Sequence, residues 1–325
     1  MALATGIGSM PGTDFAESLR LVMGEVGDFA FVPELPARGV PAGMIGRAVG
    51  MLESMPADLQ PAGWRLASGA GVDQRRASSL LAQDLDTVEE LASTHRGPFK
   101  TQVTGPLTLA ATVERPRGDK VLADHGARRE LAESLAAGLG DHVRSLRRRL
   151  PDADVVVQVD EPAINRVMGG GVPTASGFSR HRSIHPPEAD ELLRLLVDEI
   201  VAAGGRPVVH CCSDEVPVAL LTGAGFTAIS FDLELARPID AWAEALESGV
   251  ELWTGAIPAS DASRISDAEV VRAVTTFVDR LGFAAPELGD QVVITPSCGL
   301  AGASPSWSRT ALAVAHRAAE SLAQG

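Results

Sequence analysis

The 325-residue sequence has no uninterrupted apolar run approaching the ~18 residues of a membrane span, so a helical membrane protein is not expected. Positive charge is in short supply. Against 42 Asp and Glu stand only 28 Lys and Arg, and a formal charge of -14 repels phosphate backbones, so nucleic acid is not an expected partner. Cysteine is scarce as well: three thiols cannot build an even disulfide framework, which leaves metal binding, catalysis or plain burial as their uses. The start, Met1-Ala2-Leu3-Ala4-Thr5-Gly6, shows no basic stretch followed by an apolar core and a small-residue cleavage site, so a soluble cytoplasmic protein is expected. No linker composition divides the chain, and 1–325 reads as one domain.

What the sequence does contain is a regular alternation of short β-rich runs and helical periodicity. The runs are Leu3 to Ile7, Phe29 to Pro33, Phe99 to Thr104, Asp154 to Val159, Pro207 to Cys211, Thr227 to Phe231, Glu251 to Ala256 and Gln291 to Thr295. Amphipathic helices are expected at Ala16 to Val26, Ser79 to Ser93, Arg128 to Leu150, Ala189 to Ala203, Ile239 to Glu247, Asp267 to Leu281 and Ser306 to Leu322. Eight strands alternating with helices predict an α/β fold, a single (β/α)8 TIM barrel, with a doubly wound open sheet as the competing arrangement. The Pro/Gly-rich stretches Val32 to Gly46 and Met168 to Pro187 follow strands two and four and read as long loops on the active face.

Catalytic groups of a barrel project from the C-terminal ends of its strands, and these exits are rich in chemistry. Strand one ends in Gly6-Ile7-Gly8-Ser9-Met10-Pro11. Its Gly-x-Gly start fails as a dinucleotide fingerprint because Pro11 occupies the sixth position, which leaves Ser9 and nearby N–H groups as candidates to hold a substrate carboxylate. Strand two ends in Glu34 and strand four in Asp160-Glu161-Pro162. His210 and Cys212, two apart at the end of strand five, share one face of an extended chain, while Cys211 points the other way. Cys298 leaves strand eight across the barrel mouth, and a carboxylate from strand six, where Asp232 and Glu234 lie, would complete a four-coordinate site. Two thiolates and an imidazole favour Zn2+ over magnesium or calcium.

Taken together, Ile7-Gly8-Ser9-Met10-Pro11, Thr104-Gly105-Pro106-Leu107-Thr108, Gln158-Val159-Asp160-Glu161-Pro162-Ala163, His210-Cys211-Cys212 and Pro296-Ser297-Cys298-Gly299-Leu300 resemble, in order, the catalytic C-terminal barrel of cobalamin-independent methionine synthase. The resemblance implies a methyltransferase that activates homocysteine with zinc held by His210, Cys212, Asp232 and Cys298. The family usually carries Glu at the third position, so Asp232 is a shortened replacement and Glu234 an alternative. It further implies that Ser9 holds the homocysteine carboxylate and that Glu34 and Asp160 bind its ammonium group.

Three departures lie on the methyl-donor side. The resemblance does not extend to the family's large N-terminal barrel; strand seven ends Gly255-Ala256-Ile257-Pro258 without the family's proton-donating histidine; and Arg166 stands where the long enzymes carry Glu. A folate amine needs protonation to leave and a methyl corrinoid does not. Of the two expected donors, methylcobalamin and methyltetrahydrofolate, the missing histidine therefore favours a corrinoid, free or presented by a methyl-donor partner protein. A corrinoid-to-thiol transferase with another acceptor and a non-catalytic zinc-binding relative are the rival readings.

Overall fold

Continuous apolar stretches such as Val155-Val156-Val157 suit strands covered on both faces, and they build the wall of a barrel. In the computed structural model, which describes residues 3–69, 71–262, 264–284 and 288–324, the strands are β1 (Leu3–Ala4), β2 (Ala30–Phe31), β3 (Ala57–Gln60), β4 (Gly63–Leu66), β5 (Gly97–Thr104), β6 (Ala153–Asp160), β7 (Arg206–Cys211), β8 (Ala228–Asp232), β9 (Glu251–Ile257) and β10 (Val292–Pro296). Eight of them form one sheet in the order β1-β10-β9-β8-β7-β6-β5-β2, with parallel pairing throughout. The two ends meet. Thr5 Oγ1 donates to the Phe29 carbonyl at 2.8 Å, and higher up Glu34 N–H donates to Gly8 O at 2.9 Å and Met10 N–H to Glu34 O at 2.8 Å. The fold is thus a (β/α)8 barrel, not an open doubly wound sheet.

Helices cover the outside, each buried along one stripe. In Pro186–Ala202 the buried residues Ala189, Leu192, Leu193, Leu196, Val197 and Ile200 fall at helical spacing, each large one contributing about 1.5–3 kcal/mol. The helix begins three residues before the apolar period does, because Pro186 needs no N–H partner in a first turn. Asp14 caps Phe15–Glu25, Asp124 caps His125–Arg149, and Ser266 with Glu269 forms a capping box on Asp267–Arg280. Among the described residues no helix is long and apolar enough to cross a membrane.

Three features depart from the sequence pattern. First, β1 and β2 are two residues each, shorter than expected, because the carbonyls of Ile7 and Val32 are taken by side chains inside the barrel instead of by a neighbouring strand. Second, the expected loop 32–46 contains two 3-10 turns and opens the helix Met44–Met51. Third, β3 and β4 pair as an antiparallel hairpin, where neither strand nor helix was expected.

His142, on the helix His125–Arg149, is buried with its Nε2 3.0 Å from Thr101 Oγ1. Burial, followed by the charges of Arg47 and Arg149, pushes its pKa down to about 3. A lowered histidine stabilises the fold in full above its unfolded value of about 6.5 and loses that contribution as the pH falls towards the folded value, at about 1.4 kcal/mol per pH unit. His142→Gln is expected to flatten the acid side of the stability profile between about pH 6 and 4, measured by urea unfolding.

Candidate metal centre and acceptor site

Period-two alternation decides what the barrel interior holds. Phe29, Val156, Val208, Ala228, Trp253 and Val293 form a separate apolar cluster. Two residues further along β6, β7 and β8 the same face carries Gln158, His210 and Ser230, and two residues beyond those it presents Asp160, Cys212 and Asp232. Residues of opposite parity, including Val157, Val209, Cys211 and Phe231, belong to the main core. Cys211 is fully buried there, its Sγ 3.0 Å from Ser213 Oγ, and burial pushes its thiol pKa up.

His210 is built as a ligand in waiting. Its Nδ1 lies 2.9 Å from Ser230 Oγ, and its Nε2 is buried with no hydrogen-bond partner. With Nδ1 protonated towards Ser230, Nε2 keeps a lone pair, and an outer hydrogen bond of this kind is how proteins orient a metal-binding imidazole. The ligating atoms of His210, Cys212 and Cys298 lie within 4.8 Å of one another, and the two sulfurs are 3.6 Å apart. The close pairing with Cys212 outweighs burial and lowers the Cys298 pKa to about 4, while the same sulfur pairing followed by burial pushes Cys212 up. The donor set, one nitrogen and two sulfurs, fits a soft or borderline divalent metal.

The other half of the site is a carboxylate pair under tight control. Glu34 is buried and ion-pairs with Arg47, whose Nε lies 3.0 Å from Oε1; Arg47 also reaches Asp84 at 3.4 Å, and Arg38 clamps Asp84 through 2.8 and 2.6 Å bonds. Asp160 Oδ1 accepts from Gln158 Nε2 at 2.7 Å. Burial, with Glu34 as a second cause, raises the Asp160 pKa to about 7, against opposing pulls from His210, Gln158 and Lys100. Ser9 sits at the barrel closure: its carbonyl accepts Leu300 N–H at 2.7 Å, and Gly299 leaves room for its hydroxyl, which a Cβ at that glycine would strike.

Two of the sequence motifs turn out to lock each other. The wholly buried Glu161 carboxylate accepts the N–H groups of Leu107 and Thr108 at 2.8 Å each and the Thr108 hydroxyl at 2.6 Å, capping the short helix Pro106–Ala110. Gly105 lies directly beneath that carboxylate, where any side chain would collide with it. Burial lifts the Glu161 pKa to about 7 despite these bonds. Gly105→Ala is therefore expected to destabilise the protein by about 1–3 kcal/mol, read from a urea unfolding midpoint, through displacement of the Glu161 cap.

Ser9, Glu34, Asp160, His210, Cys212 and Cys298 all line one cavity of about 710 Å³, a size suited to a small-molecule site. Its far wall is apolar, built by Val40, Met44, Ile45 and Trp64, the last from the unexpected hairpin. Asp232 and Glu234 are not brought to the three-ligand cluster. They line a neighbouring cavity of about 390 Å³, and Asp232 Oδ1 accepts the Glu234 N–H at 3.0 Å. Burial raises the Asp232 pKa, and Glu234 and Cys298 add to the rise. Sequence reasoning also passed over Arg47 and Lys100. Their signal was a single cation in an apolar helix and a single lysine at an inward position of a buried strand.

A family model described as the catalytic domain of cobalamin-independent synthase matches residues 76–321. The chain belongs to that family. In this synthase domain the matched span holds Asp160, His210, Cys212 and Cys298, while Ser9 and Glu34 precede it and join the site through the barrel closure. No curated protein matches the chain in sequence. Among solved structures it is similar to β-methylaspartase from Clostridium tetanomorphum (9% identity, 99% of this chain and 58% of that chain, TM-score 0.47). It is also similar to β-1,4-D-mannanase from Cryptopygus antarcticus (10% identity, 96% and 90%, TM-score 0.47) and to a 2,3-dimethylmalate lyase (10% identity, 95% and 80%, TM-score 0.41). At that distance these likenesses carry no argument about function.

Proposed function

We propose that the chain, acting as one barrel over 1–325, is a zinc-dependent methyltransferase that methylates homocysteine to methionine in the reducing cytoplasm. The observation that carries this reading is the shared cavity: three metal-type ligands, one with a bare buried Nε2, stand opposite a carboxylate pair and a serine. His210, Cys212 and Cys298 would hold the ion, and the fourth position is proposed for Asp232, which would reach it by leaving the Glu234 N–H, with Glu234 as the alternative. Zinc bound there would convert an alkyl thiol of pKa near 8.5 into a thiolate at neutral pH.

The remaining work falls to the chain's own residues. Glu34 and Asp160 supply negative charge for an ammonium in a water-poor cavity, and Ser9 offers its hydroxyl to a carboxylate, so the acceptor is held with its sulfur towards the cysteines. The apolar side chains of Met44, Ile45 and Trp64 line the rest of the cavity and would limit water around a bound acceptor. The cavity's titratable groups are Glu34, Asp160, His210, Cys212 and Cys298, each assigned to the amino acid or the metal, and no histidine stands at the strand-seven exit Gly255-Ala256-Ile257-Pro258 to protonate a folate amine. The donor is accordingly a methyl corrinoid, free or presented by a partner protein.

The test is a side-by-side transfer assay with zinc-loaded protein and homocysteine. Methionine should form at least about tenfold faster from methylcobalamin than from methyltetrahydrofolate. Equal rates would contradict the donor assignment, and no methionine from any donor would contradict the acceptor reading.

A further inference from the structure

Lys100 projects into the barrel from β5 and is completely buried. Its Nζ donates to the Ile7 carbonyl at 2.8 Å and to Gln102 Oε1 at 3.4 Å, and lies 5.2 Å from the centre of the Phe31 ring. The charges it faces are Asp160 and Glu34. Gln158 Nε2 donates to the same Ile7 carbonyl at 2.8 Å as well as to Asp160, and Gln102 Nε2 donates to Val32 O at 2.8 Å. Gly8 has a φ of +148° and packs on the Gln102 side chain, so close that a Cβ would stand 2.6 Å from Cδ.

This polar layer grips the chain at two points, Ile7 and Val32. Each lies two residues before a proposed acceptor-binding group, Ser9 and Glu34 respectively. Burying an ammonium is costly, and a methionine would fill the same space without that desolvation, so stability alone does not account for a lysine here. Burial lowers its pKa to about 7 and the charges of Asp160 and then Glu34 oppose that fall, so the ammonium is held by the carboxylates it faces, Glu34 being also tied to Arg47 and Asp160 to a neutral amide.

We propose that Lys100 is the positioning residue of the amino-acid subsite: it fixes Ile7, and through it Ser9, against the Glu34 and Asp160 carboxylates, and so makes the site select thiols that carry an amino-acid head. The inference rests on the acceptor reading given above. It assigns Lys100 no contact with substrate and no part in proton transfer.

The test compares binding of L-homocysteine and 1-propanethiol to zinc-loaded protein by calorimetry, which needs no methyl donor. Wild type should bind homocysteine at least about tenfold more tightly than propanethiol. In Lys100→Met, shown folded by circular dichroism, the homocysteine Kd should rise at least about tenfold while the propanethiol Kd stays within about twofold. A purely structural role would weaken both thiols alike, and that result, or an unchanged homocysteine Kd, overturns the assignment of Lys100 alone. A wild type that does not distinguish the two thiols overturns the acceptor reading and this inference with it. Should Lys100→Met fail to fold, Lys100→Gln, which keeps an amide donor and loses the cation, faces the same pair of Kd values with the same expected split.

Discussion

Replacing Cys298 with alanine is expected to strip the metal from the protein, taking bound zinc from about one per chain to below about a tenth after dialysis. The remaining His210 and Cys212 come from one strand end, and even with Asp232 they do not hold the ion against a weak chelator once the opposing sulfur from the β10 exit is gone. Methyl transfer should fall at least about thirtyfold, since the acceptor thiol reverts to its ordinary pKa of about 8.5 and a few per cent of thiolate at neutral pH. Cys211→Ala is the matched control. Its sulfur is buried on the helix side of the sheet, so the metal should stay while stability drops modestly. Zinc retained in Cys298→Ala and lost in Cys211→Ala would reverse the ligand assignment; elemental analysis of the two dialysed variants decides it.

Glu161→Ala carries the largest expected cost in stability, about 3 kcal/mol or more by urea unfolding. Removing the carboxylate leaves the Leu107 and Thr108 N–H groups and the Thr108 hydroxyl buried without their acceptor, each worth about 1–3 kcal/mol, and opens a void over Gly105. Glu161→Gln should recover only part of the loss, because an amide turns one of its two acceptor positions into a donor aimed at an N–H group. A loss below about 1 kcal/mol in the alanine variant would show that the turn 105–110 holds its shape without the cap.

The barrel was legible in the sequence because buried parallel strands are short continuous apolar runs, and β5 to β10 stand close to where those runs lie. Strand parity also separated Cys212 from Cys211, since a strand sends neighbours to opposite faces whatever surrounds it. What escaped the sequence depends on partners far along the chain. The hairpin β3–β4 is held by Gln74, whose side chain takes the Ala57 N–H at 2.8 Å, and by the exchange of Leu66 and Trp64 with Glu114. Nothing local announces it. The helix Met44–Met51 is fastened by Thr104 Oγ1 on its first carbonyl and by Arg47 on Glu34 and Asp84.

Asp232 shows the limit of reading a ligand from its place at a strand exit. The strand delivers it to the mouth of the barrel, but a two-residue turn draws its carboxylate onto the Glu234 N–H, and whether it ligates depends on that local competition. Lys100 shows the converse: an inward lysine in a buried strand has a physical cost visible in the sequence pattern, yet its partners, Ile7 and two carboxylates, appear only once the barrel closes.

The central claim is that a metal at His210, Cys212 and Cys298 takes the acceptor's sulfur, and zinc-edge X-ray absorption of the zinc-loaded protein tests it most directly. Two sulfurs are expected around the metal in the resting protein and three after L-homocysteine is added, and the same two and three in the zinc-retaining Cys211→Ala variant. A sulfur count that stays at two when homocysteine is bound would contradict the account.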